Sequence, residues 1–147
     1  MNKNETAMFI GHRLCSPLNY ENVHREVLKA ILTGTKVFVS GADGTFERFA
    51  SIVVNDLKKK FPWVQNHLIL PDADFKDYDA TLYDKIIFPQ ELKIIPHCFR
   101  ITARNKYIVN SASLAICYLD HTYGDSGETY KYALEKGLEI VNLGRLK

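Results

Sequence analysis

Lys36-Val37-Phe38-Val39-Ser40-Gly41-Ala42-Asp43-Gly44-Thr45-Phe46-Glu47 decides the fold. A β-branched apolar run stops at a glycine, crosses a short turn of small and polar residues, and enters a segment of helical period. In that segment Phe46, Phe49, Ala50, Val53 and Leu57 recur on one face until Phe61-Pro62 ends it. A continuous apolar strand feeding directly into an amphipathic helix is one repeat of a βαβ protein.

The same unit recurs along the chain. Ala7 to Ile10 is a first strand ending at Gly11, and Val23, Val27, Ala30 and Ile31 mark the helix after it, stopped at Gly34. His67 to Leu70 is a third strand, closed by Pro71. The stretch from Asp72 to Pro96, rich in aspartate, reads as a long surface excursion with one or two short helices. Alternation then resumes with a helix from Ile101 to Asn110, a strand from Leu114 to Tyr118, a helix from about Gly127 to Lys136 and a last strand over Glu139–Asn142. Five strands separated by helices predict an α/β, Rossmann-like, doubly wound, mostly parallel sheet with helices on both faces. Residues 1–147 form one domain, without repeat or linker.

Composition narrows the partners. Nineteen basic and seventeen acidic side chains give a net charge of +2, too balanced for the concentrated basic face that duplex nucleic acid requires. The aromatic residues are not interleaved with a basic stripe, so a nucleic acid partner is not expected. Cys15, Cys98 and Cys117 lack metal-ligand spacing and do not pair off evenly, which points to a reducing, cytoplasmic setting. No apolar stretch is long enough to span a membrane. Asp72, Asp74, Asp77 and Asp79 lack the glycine and terminal glutamate of a calcium loop. Neither a metal nor a resident cofactor is expected.

In sheets of this kind ligands bind beyond the carboxyl ends of the strands. The residues there are Gly11-His12-Arg13, the turn from Gly41 through Gly44 to Glu47, and the loop from His121 through Gly124, Asp125, Ser126, Gly127 and Glu128 to Thr129. Glycine at a strand-to-helix turn exposes backbone N–H groups that hold anions. Asp125 or Ser126 could equally cap the last helix, with Glu128 completing a capping box. Arg104-Asn105 precedes the fourth strand, one turn after Arg100. Arginine there suits a phosphate or carboxylate, or an ordinary solvated helix face.

Phe9-Ile10-Gly11-His12-Arg13, Gly41 to Glu47, Arg104-Asn105-Lys106-Tyr107, His121-x-Tyr123-Gly124 with Thr129, and Ala133-x-x-x-Gly137 together resemble the SLOG superfamily. That is the fold group of the DNA-processing protein DprA and the LONELY GUY phosphoribohydrolases, and the nearest branch is YpsA-like, of largely unassigned function. The resemblance covers about Met8 to Leu143. It implies a strand order of 3-2-1-4-5, a homodimer formed near Phe99 to Tyr107, and a pocket for a nucleotide or nucleotide-derived small molecule. Gly11, Arg13, Gly41, Gly44, Glu47, Arg104, Asn105, Gly124 and Thr129 would surround that pocket, and the strand-end loops add His12, Ser126 and Gly127. The expected role is a sensor or regulatory protein. The alternative is a hydrolase of an N-glycosidic or related bond, with Glu47 as its candidate catalytic acid or base. The LONELY GUY pattern P-G-G-x-G-T-x-E is not kept here. Tyr123 and Asp125 stand where its proline and second glycine belong, and no glutamate follows Thr129 at the family spacing. Arg104 is expected to be the main charged ligand contact, or else a brace to Asp125 or Glu128.

Overall fold

The structure is a computed structural model, and it describes residues 2–12, 18–41 and 44–146. Six strands form one parallel sheet: β1 (Thr6–Gly11), β2 (Val37–Ser40), β3 (Gln65–Ile69), β4 (Lys85–Ile87), β5 (Leu114–Tyr118) and β6 (Glu139–Asn142). Their order is β4-β3-β2-β1-β5-β6. Four helices connect them: α1 (Tyr20–Leu32), α2 (Thr45–Leu57), α3 (Arg100–Ser111) and α4 (Gly124–Glu135).

β1 is central and buried throughout, which is why its residues form an unbroken apolar run rather than an alternating one. Ala7 and Phe9 point to one face, where Val23, Val27 and Ile31 of α1 and Phe46, Ala50 and Val53 of α2 cover them. Met8 and Ile10 point to the other, against Ile108 and Val109 of α3 and Ala133 of α4. Helices therefore cover both faces, as expected for a doubly wound sheet.

Two expectations are corrected. The sheet has six strands, because Lys85–Ile87, inside the stretch read as a surface excursion, pairs in parallel with β3, His67 facing Lys85 and Ile69 facing Ile87. Asp84 anchors this edge strand by accepting the Asn66 N–H at 2.7 Å and pairing with Lys58. Without β4, the order is the expected 3-2-1-4-5. The last helix also starts earlier than about Gly127, at Gly124, after Tyr123 as its cap residue. Asp125 and Ser126 thus lie inside its first turn and cap nothing. The Ser126 hydroxyl instead donates across to the Gly11 carbonyl of β1, while Glu128 pairs with Lys131 at 3.4 Å.

Arg100, one turn before Arg104, does not line the strand-end cavity. It donates to the Ile95 carbonyl at 2.9 Å and meets Asp72 at 3.3 Å, pinning the 72–96 excursion against α3. The Asp74 backbone N–H, and then Arg100 and His97, hold the Asp72 carboxyl below the usual carboxylate range. Among the described residues no helix is long and apolar enough to cross a membrane.

Candidate functional site

A cavity of about 210 Å³ opens at the carboxyl ends of β1 and β2. Gly11 ends β1, and Gly41 and Gly44 frame the turn that carries the chain into α2. Ile101, Asn105 and Ile108 come from α3, and Asp125, Ser126 and Thr129 from the start of α4. Glu47, in the first turn of α2, is 92% buried and points inward, its Oε1 accepting the Gly11 N–H at 3.2 Å. A carboxylate in the first turn also gains from the helix dipole.

Of the residues named from sequence, Gly11, Gly41, Gly44, Glu47, Asn105, Ser126 and Thr129 line this cavity. Gly124 and Gly127 belong to the same helix start but do not line it, and Arg13 lies outside the described residues. Four lining residues carried no sequence signal for a site, Met8 among them as part of the apolar first strand. Ile101 and Ile108 read as ordinary helix positions, and Phe75 arrives from the aspartate-rich excursion.

Arg104 is not where the sequence placed it. Its side chain is fully buried behind the cavity, with Nη1 donating to the Gly41 carbonyl at 3.3 Å and the Ile69 carbonyl at 3.4 Å. Nε donates to Asn105 Oδ1 at 2.8 Å. The guanidinium ties the ends of β2 and β3 to α3, so it is a brace, but to main-chain carbonyls rather than to Asp125 or Glu128. Buried this deeply, the guanidinium has its forked donors held in fixed directions by the main chain.

The glycines have a matching explanation. A Cβ on Gly41 would stand 2.6 Å from Arg104 Cζ, and one on Gly127 only 2.0 Å from the Thr122 carbonyl oxygen. Close packing accounts for both, without a phosphate.

His12 sits beside the cavity in an aromatic stack. Its ring lies 3.7 Å from that of His121 at 7°, and His121 lies 3.7 Å from Tyr123 at 20°. Burial, then the neighbouring His121, pushes the His12 pKa below the usual imidazole value. The neutral ring accepts the Asp120 N–H at Nε2, 3.1 Å away, while His121 Nδ1 meets the Asp120 carboxylate. One donor atom from each of His12, Asp120 and His121 lies within 4.8 Å of the others. Parallel rings send their lone pairs side by side, however, so joint ligation of one ion would require the stack to rotate apart.

The ionisable groups among the described lining residues are Glu47 and Asp125, both carboxylates. The Arg104 guanidinium lies one layer behind them, against the Gly41 carbonyl and Asn105, and the N-termini of α2 and α4 open on the same cavity.

No family model and no curated protein sequence matches this chain. Solved structures do. The chain is similar to TM1055, a structural genomics target, with 12% identity and a TM-score of 0.65, over 92% of this chain and 72% of that one. It is similar to DNA processing protein A (DprA) of Streptococcus pneumoniae, with 18% identity and a TM-score of 0.67, covering 95% of this chain and 50% of that one. The Helicobacter pylori DprA, with 16% identity and a TM-score of 0.65, matches 96% of this chain and 65% of its own. The chain therefore spans about half to two thirds of the DprA chains. At these identities the likenesses show the fold alone, and none singles out the YpsA-like branch. They also correct one expectation. The H. pylori structure is described for its single-stranded DNA binding mode, so this fold hosts nucleic acid binding, and balanced charge was not sufficient ground to set that partner class aside.

Proposed function

We propose that the cavity binds a nucleotide-derived molecule through its sugar, and that the protein serves as a sensor or regulatory domain. The observation that carries this reading is Glu47, buried at the carboxyl end of the sheet and turned into the cavity. A carboxylate so placed accepts the hydroxyls of a ribose, a binding role that asks for no turnover. Asn105, Ser126 and Thr129 add neutral hydrogen-bonding groups around it. Glu47 and Asp125 disfavour a phosphate close to either carboxylate, which supports the sugar or base as the part that enters.

Calorimetry with adenosine and with ribose tests this. Glu47→Gln keeps an acceptor for the Gly11 N–H but loses the charge, and should weaken adenosine binding roughly tenfold or more, as charge-assisted hydrogen bonds to a ligand do. Equal affinity of wild type and variant, or no binding of either probe by wild type, would refute the reading. Chromatography of adenosine after incubation separates binding from hydrolysis, since release of free adenine by wild type and not by Glu47→Gln would show Glu47 acting as an acid or base.

A further inference from the structure

We infer that the amino-terminal edge of the sheet, at the opposite end of the strands from the cavity, is a docking surface for single-stranded nucleic acid.

Charge distribution is the first ground. The net charge of +2 conceals a separation. At the cavity end stand Glu47 and Asp125, and the excursion that supplies Phe75 carries Asp72, Asp74, Asp77 and Asp79. At the other end, the last turns of α1 and α2 and the segments entering β1 to β4 hold seven lysines against three carboxylates. All three carboxylates are engaged. Glu5 pairs with Lys36 at 2.8 Å, Asp84 pairs with Lys58, and Asp56 accepts the Tyr20 hydroxyl at 2.6 Å. Lys3, Lys29, Lys59, Lys60 and Lys85 are exposed and pair with no carboxylate among the described residues. The carboxyl ends of α1 and α2 add only about half a negative charge each, which leaves this edge strongly positive.

Order is the second. The Lys36 N–H donates to the Glu5 carbonyl, the Gln65 N–H to the Lys36 carbonyl and the Asp84 N–H to the Asn66 carbonyl, each at 2.8 Å. The entries to β1, β2, β3 and β4 therefore lie side by side, at the roughly 4.8 Å spacing of neighbouring strands and about 14 Å across. The Lys58–Asp84 pair holds the end of α2, and with it Lys59 and Lys60, against the entry to β4. A row of cations one chain segment deep matches a line of phosphates, whereas a bilayer presents a plane of charge.

Trp63 then decides between a single strand and a duplex. It stands three residues after Lys60 and two before the first residue of β3. Its ring meets Phe61 edge-on at 5.5 Å, Phe61 packs on the core, and 57% of Trp63 stays open to solvent. A lone exposed ring is ordinary on a protein surface. Set among uncompensated cations, an indole receives an unstacked base while the lysines neutralise the backbone, and only a single strand offers both.

Trp63 is the single tryptophan of the chain, so its fluorescence reports this edge directly. Titration of the full chain with oligodeoxythymidine and with oligouridine at about 50 mM salt should quench it, and anisotropy of a labelled oligomer should give the affinity. Five lysines on five phosphates predict a slope of about 3.5 for log Kd against log salt. Lys59→Ala with Lys60→Ala should lower that slope by about 1.4 and weaken binding about tenfold, while Lys59→Arg with Lys60→Arg should bind like wild type. Trp63→Leu should also weaken binding about tenfold. Lys106→Ala with Lys131→Ala, which removes equal charge from α3 and α4, should change nothing. Oligomer binding that depends on Lys106 and Lys131 instead, or that leaves both Trp63 fluorescence and the Lys59/Lys60 alanine variant unaffected, overturns the inference. Absence of oligomer binding at about 50 mM salt overturns it as well. So does a blue shift of Trp63 on phosphatidylserine vesicles without a response to either oligomer, which would assign this edge to a membrane.

Discussion

Replacing Arg104 with alanine should cost this protein its stability before it costs any ligand affinity. The side chain is 0% exposed and donates to two strand-end carbonyls and the Asn105 side chain. Hydrogen bonds from a charged donor contribute about 1.5–3 kcal/mol each. The contacts to Gly41 and Ile69 are long, at 3.3 and 3.4 Å, and belong at the low end of that range. Alanine also leaves a void the size of a guanidinium, into which water must move to serve the abandoned carbonyls. A net loss of about 3–5 kcal/mol follows. For a chain of this length that lowers the melting temperature by roughly 10 °C. Urea titration followed by circular dichroism gives the free energy directly, provided the transition is two-state. Gly41→Ala is the companion, because its Cβ would stand 2.6 Å from Arg104 Cζ and Nη1 and push the guanidinium off the carbonyls. The double variant should then be less destabilised than the two single effects added together. A melting temperature of Arg104→Ala within about 2 °C of wild type would refute the brace and return the arginine to the surface role.

Gly127→Ala should destabilise by about 3 kcal/mol in urea, because its Cβ meets the Thr122 backbone at 2.0 Å and neither segment can yield cheaply; a loss below about 1 kcal/mol would show that the start of α4 moves freely. The pH dependence follows from His12, whose pKa is lowered by burial and by His121. The unfolded chain then binds its proton more readily than the folded one, so this contribution is complete above about pH 6.5 and is lost as pH falls through the folded value. His67, also depressed by burial, adds a slope of the same sign. Urea midpoints between about pH 8 and 5 should therefore fall less steeply for His12→Phe than for wild type, and identical slopes would deny the stack its titrating member.

The central strands were readable because each is buried on both faces, and such strands cannot hide an apolar run. β4 escaped for the opposite reason. It is three residues long, lies at the edge, and is held by Asp84 and by pairing with β3 rather than by its own burial. The start of α4 was misplaced because a local rule was applied where a distant contact decides. Ser126 is a good cap by type, but its hydroxyl is taken by the Gly11 carbonyl on the far side of the molecule's sequence. The aromatic stack had no local signature at all, since His12 comes from the end of β1 and its two partners from the loop after β5.

Arg104 and Gly41 carry a pattern that has two physical sources. Glycine after a strand and arginine before another form a pattern shared by phosphate sites and by tight backbone packing, and spacing alone does not separate them. Here Gly41 is small because Arg104 lies against it, and Arg104 is buried because Gly41 leaves it room. Once that pair is assigned to packing, the positive charge expected at the ligand is withdrawn from the cavity wall. Among the described lining residues the charges left are those of Glu47 and Asp125. The cavity wall thereby presents two carboxylates as hydrogen-bond acceptors, with the guanidinium one layer behind. On the proposed reading, a ligand's hydroxyls or amino groups meet these carboxylates, and any phosphate it carries lies away from both.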